Sequence, residues 1–212
     1  MKGKKLFIGI ANSEEKKHSA FFWSFVQIRK VCETVVFRAS HADSNLRNNN
    51  LLNSFLESGF DYYIQMDTDQ IYPQDYLEKM VPLIDEYKVV APVIYDRWLS
   101  NRFFPMVYSD LDPKTLNSRF CDIVDIKGKT GVEEVAWTHT NLFMAREVVE
   151  KLPKPIFKLY FTEDGLGKCK HTDHAVNEKI KNAGYKIYMN FDVVVKHIAS
   201  VPVDAEVYDR WK

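Results

Sequence analysis

The sequence predicts an α/β fold in which a mainly parallel central sheet lies between two layers of helices. Three observations carry that expectation. Short apolar runs alternate with stretches of helical spacing through the first half of the chain. Polar residues follow directly on several of those runs, as at the carboxyl edge of a parallel sheet. With 212 residues, 46% of them hydrophobic, the chain is long enough for one sizeable core, so a single domain over 1–212 is expected.

Leu6–Ala11 is a continuous apolar run, the pattern of a strand covered on both faces. Ser19–Val31 carries apolar residues near helical spacing, and Val35–Ala39 reads as the second strand. Ser44 is placed to cap a helix from about Asn45 to Glu57, with Leu52, Phe55 and Leu56 as its buried stripe and Gly59 as its stop. Tyr62–Met66 is the third strand and runs straight into Asp67-Thr68-Asp69. Pro73 and Gln74 open a helix through Glu86, and Val89–Ile94 is the fourth strand. Asn12, the Ser40–Asp43 stretch and Asp67–Asp69 then share one sheet edge.

The second half is loop-rich, with short strands expected near Met106–Ser109, Asp122–Ile126 and Glu134–Trp137. The spacing over Asn141–Leu152 predicts a helix ending against Pro153 and Pro155. A further helix is expected from about Asp173 to Ala183, stopped by Gly184. Strands Lys186–Met189 and Val193–Lys196 follow, then His197. The chain divides near residue 95 into halves of different character, about 1–95 and about 96–212.

Composition narrows the function. Lys plus Arg and Asp plus Glu number 29 each, so the formal charge is zero, against the basic excess of a chain held on nucleic-acid phosphates. Nucleic acid is therefore not expected as a partner held through its phosphates. No apolar run reaches the roughly 18–20 residues of a membrane span. The opening Met1–Ile10 looks like a leader, but its apolar stretch is short and Glu14-Glu15-Lys16-Lys17 follows, so a buried strand is expected there. Cys32, Cys121 and Cys169 are odd in number and widely spaced, which suggests thiols in a reducing compartment and a soluble, cytoplasmic protein. No phosphate loop, dinucleotide glycine motif or nucleophile elbow is present. His171 and His174 have a zinc-compatible spacing without the glutamate of a zinc hydrolase, and zinc is not expected.

Chemistry concentrates at Asp67-Thr68-Asp69. In an extended chain, residues two apart point the same way, so the two carboxylates can share a hard divalent cation that also binds diphosphate oxygens. Taken alone, the motif is equally a turn after a strand, where aspartate is common.

Its surroundings resemble the nucleotide-diphospho-sugar glycosyltransferases of the GT-A fold, especially compact family 2-like members. The resemblance rests on Arg47-Asn48 opening a helix, the strand Phe60–Met66, the acidic motif, and Pro73. It resumes at Trp137–Leu152, where the family has a small-residue turn, an apolar strand and a basic residue opening a helix. It closes with His171–Tyr188 and the strand ending in His197, covering about residues 5–198.

The resemblance implies a GT-A-like three-layer α/β/α sandwich and a hexosyltransferase-like enzyme. Its donor would be a nucleotide sugar, UDP-sugar favoured, and its acceptor a glycan or another hydroxyl-bearing molecule, the one role left for nucleic acid. The nucleotide-binding half would be about 1–95 and the acceptor and catalytic half about 96–212. Mn²⁺ or Mg²⁺ would be the cofactor, with Asp69 as direct ligand, Asp67 as companion and His197 completing the shell. The alternative for His197 is a histidine that satisfies a strand-end carbonyl. Asp173, in the place of the family's catalytic acid, is the candidate general base, with inversion following from direct attack. Its alternative is a helix cap. Thr172 stands where the family has glutamate, and the Glu163-Asp164 pair makes Asp164 the reserve base. Arg47 is a candidate diphosphate or base contact, or else a surface arginine. Asn12 and Asp43 are candidates for the nucleoside, and Trp98 for stacking on an acceptor sugar. Trp137-Thr138-His139-Thr140-Asn141 is bulkier than the family's glycine-containing turn and is expected to reshape the donor-sugar pocket. A sugar nucleotidyltransferase is the rival enzyme, although the loop Ala11–Lys17 lacks its glycine- and arginine-rich character. An inactive nucleotide-sugar-binding module is the rival outside enzymes.

Overall fold

The computed structural model describes residues 3–12, 18–41, 43–95, 105–111, 118–120, 126–139, 141–161, 163, 168–170 and 172–198. The chain begins β1 (Lys5–Asn12), α1 (Ser19–Gln27), β2 (Glu33–Ser40), α2 (Ser44–Ser58), β3 (Tyr62–Asp67) and β4 (Gln70–Ile71). Next come α3 (Tyr76–Met80), a 3₁₀ turn (Val81–Leu83), α4 (Ile84–Tyr87) and β5 (Val89–Ile94). The short strands β6 (Val107–Leu111), β7 (Ser118–Phe120), β8 (Val132–Val135), β9 (Trp137–Thr138) and β10 (Phe143–Ala145) follow. The chain closes with α5 (Arg146–Lys151), β11 (Tyr160–Phe161), β12 (Lys168–Lys170), α6 (Thr172–Asn182) and β13 (Ile187–His197).

An eight-stranded sheet runs β2-β1-β3-β10-β5-β13-β4, with β8 also paired to β13. β1 is parallel to both β2 and β3, and β5 is parallel to β13, as strand–helix–strand repetition requires. β10 runs antiparallel between β3 and β5. Alternation along β3 distributes the core to both faces. Tyr63 packs on Phe7 and on Phe55 of α2. Tyr62 turns the other way and donates its hydroxyl to Asp85 of α4.

Four expectations are corrected. Asp43, not Ser44, caps α2: its Oδ1 accepts the Leu46 N–H at 2.8 Å, so the helix starts one residue early. The helix expected through Glu86 is interrupted where Pro82, lacking an N–H, sits in the 3₁₀ turn. The spacing-based helix over 141–152 is wrong for its first part. Leu142, Phe143 and Met144 are fully buried because β10 is an internal strand, and only α5 is helical, as the family resemblance implied. The two strands expected near the end are one strand, β13. Its register with β5 jumps from Asn190–Pro92 to Val194–Val93, so residues 191–193 bulge where Pro92 offers no donor. The strand expected at 122–126 lies mostly outside the described residues.

Gly59 at φ 73° ends α2 as expected. The guanidinium of Arg146 then closes that helix end, donating to the carbonyls of Phe55, Leu56 and Phe60. Among the described residues, no helix is long and apolar enough to cross a membrane.

Candidate active site

The parallel register sets Asn12 beside Ser40 and Ala11 beside Asp67, so three strand ends lie along one edge. β3 ends at Asp67, Thr68-Asp69 turns, and β4 pairs antiparallel with the end of β13, Gln70 opposite His197. The Ile198 N–H donates to the Asp69 carbonyl at 2.8 Å. These backbone bonds bring the imidazole of His197 to the acidic turn, its Nε2 3.6 Å from Asp69 Oδ2. His197 Nδ1 donates to the Tyr95 carbonyl at 2.9 Å, which orients the ring so that Nε2 faces Asp69.

Asp67 sits deeper. Burial above all, and then the charge of Asp69, pushes its carboxyl up to about 7, while a bond from Gln65 Nε2 at 3.4 Å opposes the rise. The charge of Asp173 also raises it and that of His197 lowers it, so Asp69, Asp173 and His197 all lie within electrostatic reach of Asp67. Asp173 is the second residue of α6, inside the first turn rather than at the cap position. Asn177 holds that turn: its Nδ2 donates to the carbonyls of Asp173 at 2.7 Å and Thr138 at 2.9 Å, and its Oδ1 accepts the Thr138 N–H at 3.0 Å. Thr172 Oγ1 donates to Asn45 Oδ1 at 2.9 Å, linking the starts of α6 and α2.

Asn12 is fully buried at the end of β1. Asp43 is exposed, with one carboxylate oxygen engaged as the α2 cap. Arg47 is not a surface arginine: it is buried and donates through Nη1 to the His41 carbonyl, while its Nε has no partner among the described residues. Asp164 and Trp98 lie outside the described residues. In the 137–141 segment, Trp137 is buried with Lys181 stacked over its ring. His139 bridges Pro92 and Asn141: Nε2 donates to the Pro92 carbonyl at 2.9 Å and Nδ1 accepts the Asn141 N–H at 3.1 Å. Burial pushes that imidazole down to about 4, so it is neutral at ordinary pH.

Sequence reasoning missed Gln70, Tyr72, Asn141 and Asn177. Tyr72 Oη accepts the Asp67 N–H at 2.9 Å and donates to Gln70 Oε1 at 2.7 Å. Asn141 Nδ2 donates to the same Gln70 oxygen at 2.6 Å. The only sequence signal for this cluster is polar side chains inside apolar segments, which is not distinctive.

The donor set of two carboxylates and one imidazole suits a manganese- or magnesium-like ion. Among the described residues, no three His, Cys, Asp or Glu side chains close tightly around one point. What the structure offers is an Asp69–His197 pair with Asp67 alongside. Such an open arrangement fits an ion that completes its shell with substrate phosphates.

Comparison with solved structures fixes the fold class: this is a GT-A-like fold, a mostly parallel sheet flanked by helices. A197 from STIV aligns over 93% of this chain and 86% of its own, with a TM-score of 0.57 and 17% identity. GalNAc-T7 with UDP, GalNAc and Mn²⁺ aligns over 93% of this chain, with a TM-score of 0.61 and 12% identity. S. aureus TarS 1–349 in complex with UDP-GlcNAc aligns over 95%, with a TM-score of 0.50 and 13% identity. The chain spans 43% of that GalNAc-T7 chain and 60% of that TarS chain. At the level of sequence, no family model and no curated protein matches the chain.

Proposed function

We propose that this chain is a glycosyltransferase of the family 2-like kind, moving a sugar from a nucleotide-diphosphate donor, UDP-sugar favoured, to an acceptor hydroxyl with inversion. The observation that carries the reading is the meeting of His197 with Asp69 at the carboxyl edge of a parallel sheet, within the electrostatic reach of Asp67. Two solved relatives of the fold hold UDP or UDP-GlcNAc, one of them with Mn²⁺.

In this reading the nucleoside lies over the ends of β1 and β2, against Asn12 and Asp43. Arg47 donates to the His41 carbonyl and offers the rest of its guanidinium to the diphosphate or base. Asp69, His197 and Asp67 would hold Mn²⁺ or Mg²⁺, which supplies positive charge against the departing diphosphate. Asp173 takes the proton of the acceptor hydroxyl as that oxygen bonds to the anomeric carbon and the bond from that carbon to the phosphate oxygen breaks. Attack on the face opposite the leaving group inverts the centre. Within the cell, the cytoplasm is the compartment that supplies nucleotide sugars to such an enzyme, and the free Cys32 thiol is compatible with it.

The test is release of nucleoside diphosphate from a panel of nucleotide sugars, with and without Mn²⁺. Metal-dependent release that Asp69→Ala abolishes supports the reading. Release that survives Asp69→Ala unchanged overturns the ligand assignment.

A further inference from the structure

We propose that Gln70, Tyr72 and Asn141 form a positioning unit that sets where the carboxylates of Asp67 and Asp69 stand, and that Asn177 ties the same unit to Asp173. The inference rests on the glycosyltransferase reading and names residues that reading does not use.

All three side chains are buried, at 3%, 3% and 1% exposure. A buried polar group left unpaired is destabilising, so their mutual satisfaction is a demanding arrangement. The phenol is saturated. It accepts the Asp67 N–H at 2.9 Å and Asn141 Nδ2 at 3.3 Å, and donates to Gln70 Oε1 at 2.7 Å. Gln70 Oε1 accepts a second bond, from Asn141 Nδ2, at 2.6 Å. Tyr72 therefore grips the acidic turn at its first residue, and through Gln70 just beyond its last.

The unit continues toward the opposite wall of the site. The Asn141 N–H donates to His139 Nδ1 at 3.1 Å, and the neighbouring Thr138 is bonded at both N–H and C=O by Asn177. Asn177 in turn holds the Asp173 carbonyl at 2.7 Å. Every link is a direct hydrogen bond or a peptide bond, so the distance between the acidic turn and Asp173 is set by uncharged buried groups. Gln70 is also the register partner of His197, which brings the imidazole under the same control.

The experiment reads Mn²⁺ affinity, by electron paramagnetic resonance of the free ion, beside turnover. Tyr72→Phe and Gln70→Leu should each weaken Mn²⁺ about 10-fold or more, as loss of a ligand-orienting partner does. Gln70→Glu keeps an acceptor for both bonds and should stay within about 3-fold of wild type. Asn177→Ala should leave Mn²⁺ affinity unchanged while kcat falls, because it releases only the Asp173 side. A merely structural role would lower stability in all of these variants and leave the metal affinity of each folded variant alone. Asn141→Ala, which strips the unit from its far side, serves where Tyr72→Phe fails to fold. Wild-type Mn²⁺ affinity in folded Tyr72→Phe and Gln70→Leu overturns this inference alone. Failure of the wild-type chain to bind Mn²⁺ overturns the metal reading and this inference with it.

Discussion

Two places bring carboxylates to the same edge, and they are held in different ways. The acidic turn is framed by backbone, with the Tyr72 hydroxyl added at the Asp67 N–H: β3 delivers Asp67, β4 pairs with β13, and the Ile198 N–H bonds the Asp69 carbonyl. The start of α6 carries Asp173 and is docked by side chains, Asn177 onto Thr138 and Thr172 onto Asn45. Backbone pairing persists when a side chain is replaced, whereas docking through one asparagine does not. The side chains of Asp69 and His197 can thus be replaced without removing the backbone frame that carries them, while at α6 position and chemistry are coupled through Asn177.

The largest expected effect breaks the turn chemically and leaves its frame intact. Asp69→Ala and His197→Ala should each cut nucleoside diphosphate release by about 10³-fold, with far-ultraviolet circular dichroism unchanged. On the other wall, Asp173→Asn should lower kcat by about 10²-fold or more with donor affinity retained. A fully active Asp173→Asn moves the base to another carboxylate, Asp164 first.

Asn177→Ala sharpens the contrast in stability. It orphans the buried N–H and C=O of Thr138 and should cost about 2–3 kcal/mol in denaturant unfolding. His139, which joins the two regions, gives the pH dependence. Its imidazole titrates near 4 when folded and near 6.5 when unfolded, so protonation favours the unfolded chain. The stability advantage of wild type over His139→Gln should therefore be full above pH 6.5 and shrink by about 2–3 kcal/mol as pH falls to 4. Differencing against the variant cancels the opposite trend of Asp67. The smallest effect lies beneath α2. A Cβ on Gly9 would stand 3.0 Å from the Tyr63 hydroxyl and 3.2 Å from Leu51, so Gly9→Ala should cost about 1 kcal/mol in thermal or denaturant unfolding.

Much of the first half was legible because local pattern and tertiary placement agree there. Leu6–Ala11 and Val89–Ile94 read as buried strands and are β1 and β5. The Asp67–Asp69 turn was visible as acid following an apolar strand. Reading failed where one short run satisfied two patterns. Leu142–Ala145 has apolar residues that suit a helix face and equally an internal strand, and only its neighbours β3 and β5 decide. The surface alternative for Arg47 fails too, because nothing local shows that its side chain turns back onto His41.

Sequence by itself determined the α/β rhythm, the parallel strands and the acidic residues at a strand end, since each follows from periodicity over a few neighbours. Tertiary structure alone decided that His197 meets Asp69, that Pro92 forces the bulge in β13 on the way there, and that buried amides join the two walls. Those outcomes depend on pairing between segments far apart in the chain. A side chain's hydrogen-bond partner across such a distance has no signature in the residues beside it.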